Sequence, residues 1–397
     1  QALLNRPGDA NVSPLAVYRR AAKADSVQQR RPNVVLIMME SMSAKFMKHF
    51  GQSETLTPFL DSLYTRSISF RNFYSAGIHT NHGLYATLYS FPAMMKRNLM
   101  KGSVIPRYSG LPTVLQENGY CNLFFMTHES QYDNMNAFLR TNGFDEIYAQ
   151  ENYPSEKVVN SFGVQDDFMY QYALPILNER AGTGNPFFSV LLSISNHPPY
   201  VIPPYFHPHS DVLEEQIVEY ADWSIRQFMQ AAEKQPWFDN TIFVFLGDHG
   251  KMVGTPECEM PQSYNHIPLM IYGKDIKPGV YDGFGGQVDV SPTLLGLLNI
   301  SYLQNNFGVN LLEEERPCMF FTADNLIGAR DSVNMFIYSP DSQQEFKYKL
   351  EEGKLHAATG TDEEAFRNLK DYCFSMLQST ESLVKEHKTL DKVSVKK

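Results

Sequence analysis

Residues 33–40 read NVVLIMME, an apolar run entered by Asn33 and closed by Glu40. A half-exposed strand or an amphipathic helix would interrupt such a run with polar residues at its own period. A strand covered on both faces does not. The stretch therefore reads as a central strand of a parallel sheet, with a carboxylate at its end. The same signature recurs in NPFFSVLLSISNHPP (185–199) and NTIFVFLGDHG (240–250). SISFRNFYSAG (67–77), CNLFFMTH (121–128) and HIPLMIYG (266–273) add further strands. Between them lie helical patterns: TPFLDSLYTRS (57–67), TNHGLYATLYSF (80–91), LPTVLQENGY (111–120), VEYADWSIRQFMQAAEK (218–234) and VDVSPTLLGLLNI (288–300). Strands alternating with helices indicate an α/β fold, a mainly parallel central sheet sandwiched by helices.

The texture changes at both ends. Residues 1–31 are polar; SPLAVYRRAAKAD predicts one short helix, and the whole reads as a linker arm. Residues 32–311 form the α/β domain. Over 312–397, CMFFTAD, VNMFIYSP and FKYKLEEGKLHAAT predict short strands, EEAFRNLKDYCFSMLQSTESLVKEH (363–387) a closing helix, and KTLDKVSVKK a frayed tail. That is a small antiparallel sheet plus helix.

At 397 residues, 43% of them apolar, the chain can bury a large core. A formal charge of −10 argues against a general nucleic-acid binder, which needs a basic face. It leaves room for an anionic substrate, because a bound metal supplies local positive charge. Cys121, Cys258, Cys318 and Cys373 form no CxxC pair and no zinc-finger spacing. They read as buried or free thiols, with one or two disulfides left open. No apolar stretch reaches the ~18 residues of a membrane span. The chain opens on Gln1, not Met, and reads as an excised domain whose anchor could lie outside it.

Open parallel sheets carry their sites at the carboxyl ends of strands. Glu40 ends one buried run, His197 follows SVLLSISN, and Asp248-His249 follow IFVFLG. After a fourth strand, GIHTNHG (77–83) places Thr80 at a helix start. In a parallel sheet all four sites fall on one rim. Glu, Asp and His suit a divalent metal of intermediate softness, such as Mn²⁺ or Zn²⁺. A threonine hydroxyl is a poor nucleophile at neutral pH. A coordinated cation and the positive end of a helix lower its pKa. The cation also offsets charge that develops in attack on phosphorus. Singly, each residue has a plainer explanation: a solvated strand end, a GDHG turn, a threonine cap. Their joint occurrence at strand ends favours a site.

In order over roughly residues 32–300, NVVLIMMESMS, GIHTNHG, SNHPPY, FLGDHG and VDVSPTLLGLL resemble the sulfatase-like branch of the alkaline phosphatase superfamily. They are most similar to its lipoteichoic acid synthase and phosphoglycerol transferase members. The resemblance implies one divalent metal, Mn²⁺ first and Zn²⁺ next, held by Glu40, Thr80, Asp248 and His249, with Thr80 as nucleophile. It places His197 over the phosphate and leaving group, and His128 of FMTHES in the same pocket. His79, Asn81 and His82 flank Thr80 and are candidate substrate contacts. His266, in SYNHIPL, and His197 resemble a pair that holds a second zinc in phosphoethanolamine transferases. A histidine hydrogen-bonded beside a strand is the alternative for His266.

Two departures matter. No cysteine lies in the CxPxR-type sequence of formylglycine-dependent sulfatases, so sulfate-ester hydrolysis is not expected. Met135, in YDNMNAFL, stands where the lipoteichoic acid synthases have an arginine that binds phosphoglycerol. The implied activity is transfer of a phospholipid head group, phosphoglycerol or phosphoethanolamine, through a phospho-threonine to a glycan or lipid hydroxyl. A phosphodiesterase or phosphatase with the same site is the alternative, followed by a non-catalytic surface binding domain. The implied setting is extracytoplasmic, at a membrane surface, with a phospholipid donor and no nucleic acid.

Overall fold

The computed structural model describes residues 17–19, 31–102, 104–351, 353–358, 363–386 and 388–389. An eight-stranded sheet forms the centre. Its order is Gly279–Gly286, Ile68–Tyr74, Leu269–Tyr272, Thr241–Gly247, Asn33–Met39, Phe187–Leu192, Cys121–Met126, Glu146–Tyr148. Leu269–Tyr272 runs antiparallel to both neighbours and the other pairings are parallel.

Asn33–Met39 is buried along its whole length. Alternate side chains serve two cores. Val34, Leu36 and Met38 pack with the helices Thr80–Tyr89, Leu111–Glu117 and Val290–Leu297. Val35, Ile37 and Met39 pack with Pro58–Tyr64, Asp166–Gly182 and Leu213–Ala232. The unbroken apolar run follows from this two-sided cover: each fully buried side chain contributes about 1.5–3 kcal/mol.

A second sheet of five antiparallel strands runs consecutively from Met319–Thr322 to Lys354–Ala357. The helix Glu363–Lys385 covers one face, setting Phe366, Leu369 and Cys373 against Phe320, Ala329 and Phe336. Met319, Phe321 and Met335 on the other face pack against Tyr74 and Met260 of the main domain.

The arm departs from expectation. Val17–Arg19 is a strand, not part of a helix, and pairs antiparallel with Tyr302–Gln304. Open backbone on Tyr302–Gln304 outweighs weak local helix propensity, and the Arg19 guanidinium ties to Gln304 (3.0 Å) and Glu314 (2.6 Å). The rest of SPLAVYRRAAKAD lies outside the described residues. At the other end, Thr389 is docked, its carbonyl accepting from Ser109 N–H at 2.9 Å and its hydroxyl donating to the Arg107 carbonyl at 2.5 Å. Residues 390–397 of the expected tail lie outside the description. All four cysteines are free thiols.

One buried ion pair fastens the C-terminal region to the main domain. Arg316 Nε donates to Asp289 Oδ2 at 2.8 Å, and its Nη2 donates to Asp289 Oδ1 and to the Phe307 carbonyl. Asp289 also accepts from Gly286 N–H and Val309 N–H, each at 2.9 Å. Removing one partner of a satisfied buried pair strands the other charge. Arg316→Met is therefore expected to lower stability by about 3–5 kcal/mol, read from urea denaturation midpoints. A loss below about 1 kcal/mol would show that the clamp is dispensable.

Candidate active site

Glu40 and Asp248 follow directly on two parallel neighbouring strands, in which Met39 stands opposite Gly247. That register sets the two carboxylates side by side. Asp248 N–H donates to the Met39 carbonyl at 3.0 Å, extending the ladder to the site. Glu40 is 1% exposed and Asp248 0%. Burial first, and the Asp248 charge next, push the Glu40 carboxyl well above the ordinary carboxylate range.

The remaining bonds leave one cluster of free ligand atoms. Asp248 Oδ1 accepts from the backbone N–H groups of Ser41 (2.8 Å) and His249 (2.7 Å). Its Oδ2 is buried with no hydrogen-bond partner. Glu40 Oε1 accepts from the Ser41 hydroxyl at 2.5 Å. His249 Nδ1 lies 2.8 Å from the Gly250 carbonyl, which can only accept, so Nδ1 donates there and Nε2 is the ring nitrogen turned to the carboxylates. That Nε2 is 3.5 Å from Asp248 Oδ2 and 3.8 Å from Glu40 Oε1. One ligand atom from each of the three residues lies within 4.8 Å of the others. Two buried carboxylates, an orphan oxygen and an oriented imidazole form a donor set that fits a divalent cation.

Thr80 is the first residue of the helix Thr80–Tyr89, and its hydroxyl donates to Glu40 Oε2 at 3.4 Å. Gln287 locks that helix entrance to the cluster. Its Oε1 accepts from Ala76 N–H (2.9 Å), while its Nε2 donates to the carbonyls of Gly247 (3.0 Å) and Asp248 (2.6 Å). The second sheet braces the same loop: Thr322 N–H donates to the Ala76 carbonyl at 2.9 Å, and Asp324 pairs with His79 at 2.6 Å. Gly83 lets the helix approach. A Cβ there would stand 2.2 Å from the Asp248 carbonyl oxygen.

Thr80, His79, Asn81, His197 and His249 line one cavity of about 430 Å³. His197 Nδ1 faces the Pro198 carbonyl at 2.6 Å, which leaves Nε2 available, and its ring packs on Phe162. Asn81 Nδ2 donates to Asp133 Oδ2 at 3.0 Å. His128 and His82 do not line the cavity. His128 is buried behind Tyr132, ring centroids 4.9 Å apart, and burial lowers its pKa. His82 is buried beside Gly77; desolvation, then His79 and His249, push its pKa down to about 3, so it is neutral.

His266 is not brought to His197. Its Nε2 is turned to the Arg71 carbonyl at 2.8 Å, its ring is packed against Tyr74 and Phe50, and it lines a different cavity. The possible second metal between these histidines therefore has no shared site among the described residues. His266 is the histidine hydrogen-bonded beside a strand that the sequence also offered: residues preceding the reversed strand Leu269–Tyr272 reach the functional rim, but on the side facing the second sheet.

The structure adds Lys251, Asp133 and Tyr132 to the cavity wall. Lys251 Nζ is held by Asn196 Oδ1 at 2.5 Å and Tyr200 Oη at 3.2 Å, and burial pushes its pKa down to about 8. Asn196 in turn donates to the carbonyls of Glu40 and Ser41, each at 3.2 Å. Met135 is buried in the core, while Tyr132 and Asp133 of the same segment face the cavity. Asp133 is paired with Lys101 at 2.6 Å.

Residues 32–300 match the family model described as Sulfatase. The chain belongs to the sulfatase family. None of its cysteines lines the Thr80 cavity. Lipoteichoic acid synthase 2 of Bacillus subtilis is 24% identical over 339 residues, 75% of this chain and 50% of that protein. Phosphoglycerol transferase I of Xanthomonas campestris is 26% identical over 331 residues, 78% of this chain and 47% of that protein. The chain thus spans about half the length of these curated relatives. An alkaline phosphatase superfamily protein from Vibrio parahaemolyticus superposes with a TM-score of 0.86 at 25% identity, covering 98% of this chain and 95% of that one. The lipoteichoic acid synthase LtaP of Listeria monocytogenes shares the fold, with a TM-score of 0.76 at 21% identity over 90% of this chain and 93% of that one. The alkaline-phosphatase-like α/β fold is established on these grounds.

Gly83→Ala tests the close approach within this sulfatase-family site. The added methyl meets backbone, not a yielding side chain, so helix and Asp248 loop must separate. Affinity for Mn²⁺, followed by calorimetric titration, is expected to fall by about tenfold or more. Unchanged affinity would show that the site tolerates a displaced helix.

Proposed function

We propose that this chain is the catalytic part of a metal-dependent phosphotransferase. It takes a phosphorylated head group, phosphoglycerol or phosphoethanolamine, from a phospholipid onto Thr80, and passes it to a hydroxyl of a glycan or lipid. One observation carries the reading: the Thr80 hydroxyl sits at a helix start, bonded to Glu40 of the carboxylate–histidine cluster, and opens on a cavity of about 430 Å³.

Glu40, Thr80, Asp248 and His249 would hold the metal, Mn²⁺ in our reading and Zn²⁺ next. When bound, it supplies Lewis acidity that lowers the pKa of a coordinated hydroxyl and offsets phosphoryl charge. The protein's own groups do the rest. In the first half-reaction Thr80 Oγ gives up its proton to solvent, a Thr80 Oγ–P bond forms and the P–O bond to the lipid alcohol breaks. His197 faces the cavity with Nδ1 committed to Pro198, so Nε2 is the atom placed to protonate the departing oxygen. In the second, an acceptor hydroxyl attacks phosphorus and gives its proton to His197 Nε2, the Thr80 Oγ–P bond breaks, and Thr80 Oγ takes up a proton from solvent. Asn81 and Lys251 donate to phosphoryl oxygens from the cavity wall. Met135, at the position of the arginine that binds phosphoglycerol in the resembling synthases, is buried in the core, and Tyr132 and Asp133 face the cavity instead, which keeps both head groups open.

A lipid donor places the reaction at a membrane surface, and we assign the domain to an extracytoplasmic, membrane-anchored protein. No helix among the described residues is long and apolar enough to cross a membrane. An anchor would come from elsewhere in the whole protein, in keeping with relatives of about twice the aligned length.

The test is the intact mass of the Mn²⁺-loaded chain after incubation with a panel of phospholipids. Wild type is expected to gain one phosphorylated head group, whose mass identifies it. Thr80→Ala is expected to gain nothing and to show turnover at background, while still binding metal more weakly. Full activity in Thr80→Ala would sink the mechanism.

A further inference from the structure

The wall between the main domain and the second sheet encloses another cavity, of about 590 Å³, that takes no part in the chemistry above. Its charge is unbalanced. Three basic side chains, Lys45, Arg330 and Lys354, line it together with His356, against a single carboxylate, Glu257. Arg330 is the unusual member, because it is only 4% exposed. Among the described residues, no carboxylate lies within ion-pair distance of it. Its Nη1 donates to Gln262 Oε1 at 2.9 Å and its Nε to the Asp331 carbonyl at 3.4 Å. A guanidinium has five N–H donors, so these two bonds leave the others for the cavity. The plane also lies over the rings of Tyr74 (5.1 Å) and Phe284 (5.5 Å). Those faces offset part of the desolvation but accept no further conventional hydrogen bonds. A buried cation lacking an anion is costly. A fixed guanidinium fork, with flanking cations, is the donor geometry that matches a tetrahedral or planar oxyanion.

We propose that the Arg330 cavity is a second, anion-binding site, which takes a phosphate-class oxyanion distinct from the group handled at Thr80. Arg330 supplies the fork, and Lys354 and His356 close over the anion from the adjacent hairpin. Two sources share this chemistry: another anionic group on the molecule being processed, or a separate free anion. The two cavities flank one short segment, since Ser41 lines the first and Ser43 the second. Two residues of chain span at most about 7 Å, so the two cavities are close enough that a molecule carrying two anionic groups is one candidate source. The site stands on Arg330 and its neighbours, and its existence does not require the transferase reading.

Equilibrium dialysis of inorganic phosphate against the full Mn²⁺-loaded chain tests this. Two sites per chain are expected. One is lost when Mn²⁺ is removed, and the other persists. Arg330→Gln is expected to weaken the persistent site by about tenfold or more. Lys354→Ser, a change at an exposed residue that leaves the core intact, is expected to weaken it by about two- to fivefold. A single site that leaves with Mn²⁺, or a persistent site indifferent to both substitutions, overturns the proposal. Alkane bisphosphates of increasing length then separate the sources. Binding tighter than phosphate at one length, lost in Lys354→Ser, assigns both sites to one molecule. No gain at any length assigns the second site to a free anion.

Discussion

Glu40 and Asp248 lie side by side with almost no access to water, and the rest of the site is organised around that repulsion. Two buried carboxylates cannot both stay charged unless a cation or many donors face them. The protein's donors satisfy three of the four carboxylate oxygens. Ser41 and His249 N–H groups occupy Asp248 Oδ1, the Ser41 hydroxyl occupies Glu40 Oε1, the Thr80 hydroxyl donates to Glu40 Oε2, and Asp248 Oδ2 is left facing His249 Nε2. The orphan Asp248 Oδ2 is an atom that a divalent ion, in the proposed reading, would satisfy. The same cation that reconciles the carboxylates would activate the hydroxyl, so the structural need and the proposed chemistry share one cause.

Holding Thr80 against this cluster requires parts distant in sequence. Gln287 bridges the Thr80 loop to the Asp248 loop with three hydrogen bonds, and Asp289, two residues on, is clamped by Arg316. The second sheet therefore does more than cover a core face. Through Thr322 and Asp324 it bears on the loop that leads into Thr80, and through Arg330 it closes a cationic cavity on the far side of the same wall. Rigid support of this kind is what the proposed nucleophile would need to stay within reach of the cluster.

The long apolar runs were legible because they are buried on both faces. NVVLIMM, SVLL and TIFVFLG each became parallel strands, and the residues closing them reached the expected rim. Weaker patterns failed. GVYDGFGG (279–286) is polar and glycine-rich, yet forms an edge strand because Ile68–Tyr74 offers a partner. The helix Asp166–Gly182 carries Pro175 and has apolar residues on most sides, so its period is faint. Val17–Arg19 took the strand state from its partner, against its local preference.

For the site, the sequence by itself determined which residues end the buried strands: Glu40, Asp248, His249 and, one loop further, Thr80. Strand burial writes itself into composition, and a parallel sheet delivers every strand end to one rim. Only the tertiary structure decided how side chains divide around that rim. It turned His266 into another cavity, hid His82 and His128 behind it, put Met135 in the core, and raised Lys251, Asp133 and Arg330 into positions no spacing marks. Those outcomes depend on contacts between segments tens to hundreds of residues apart, on the direction of one reversed strand, and on which polar atoms find partners when water is excluded. None of these leaves a local period in the chain.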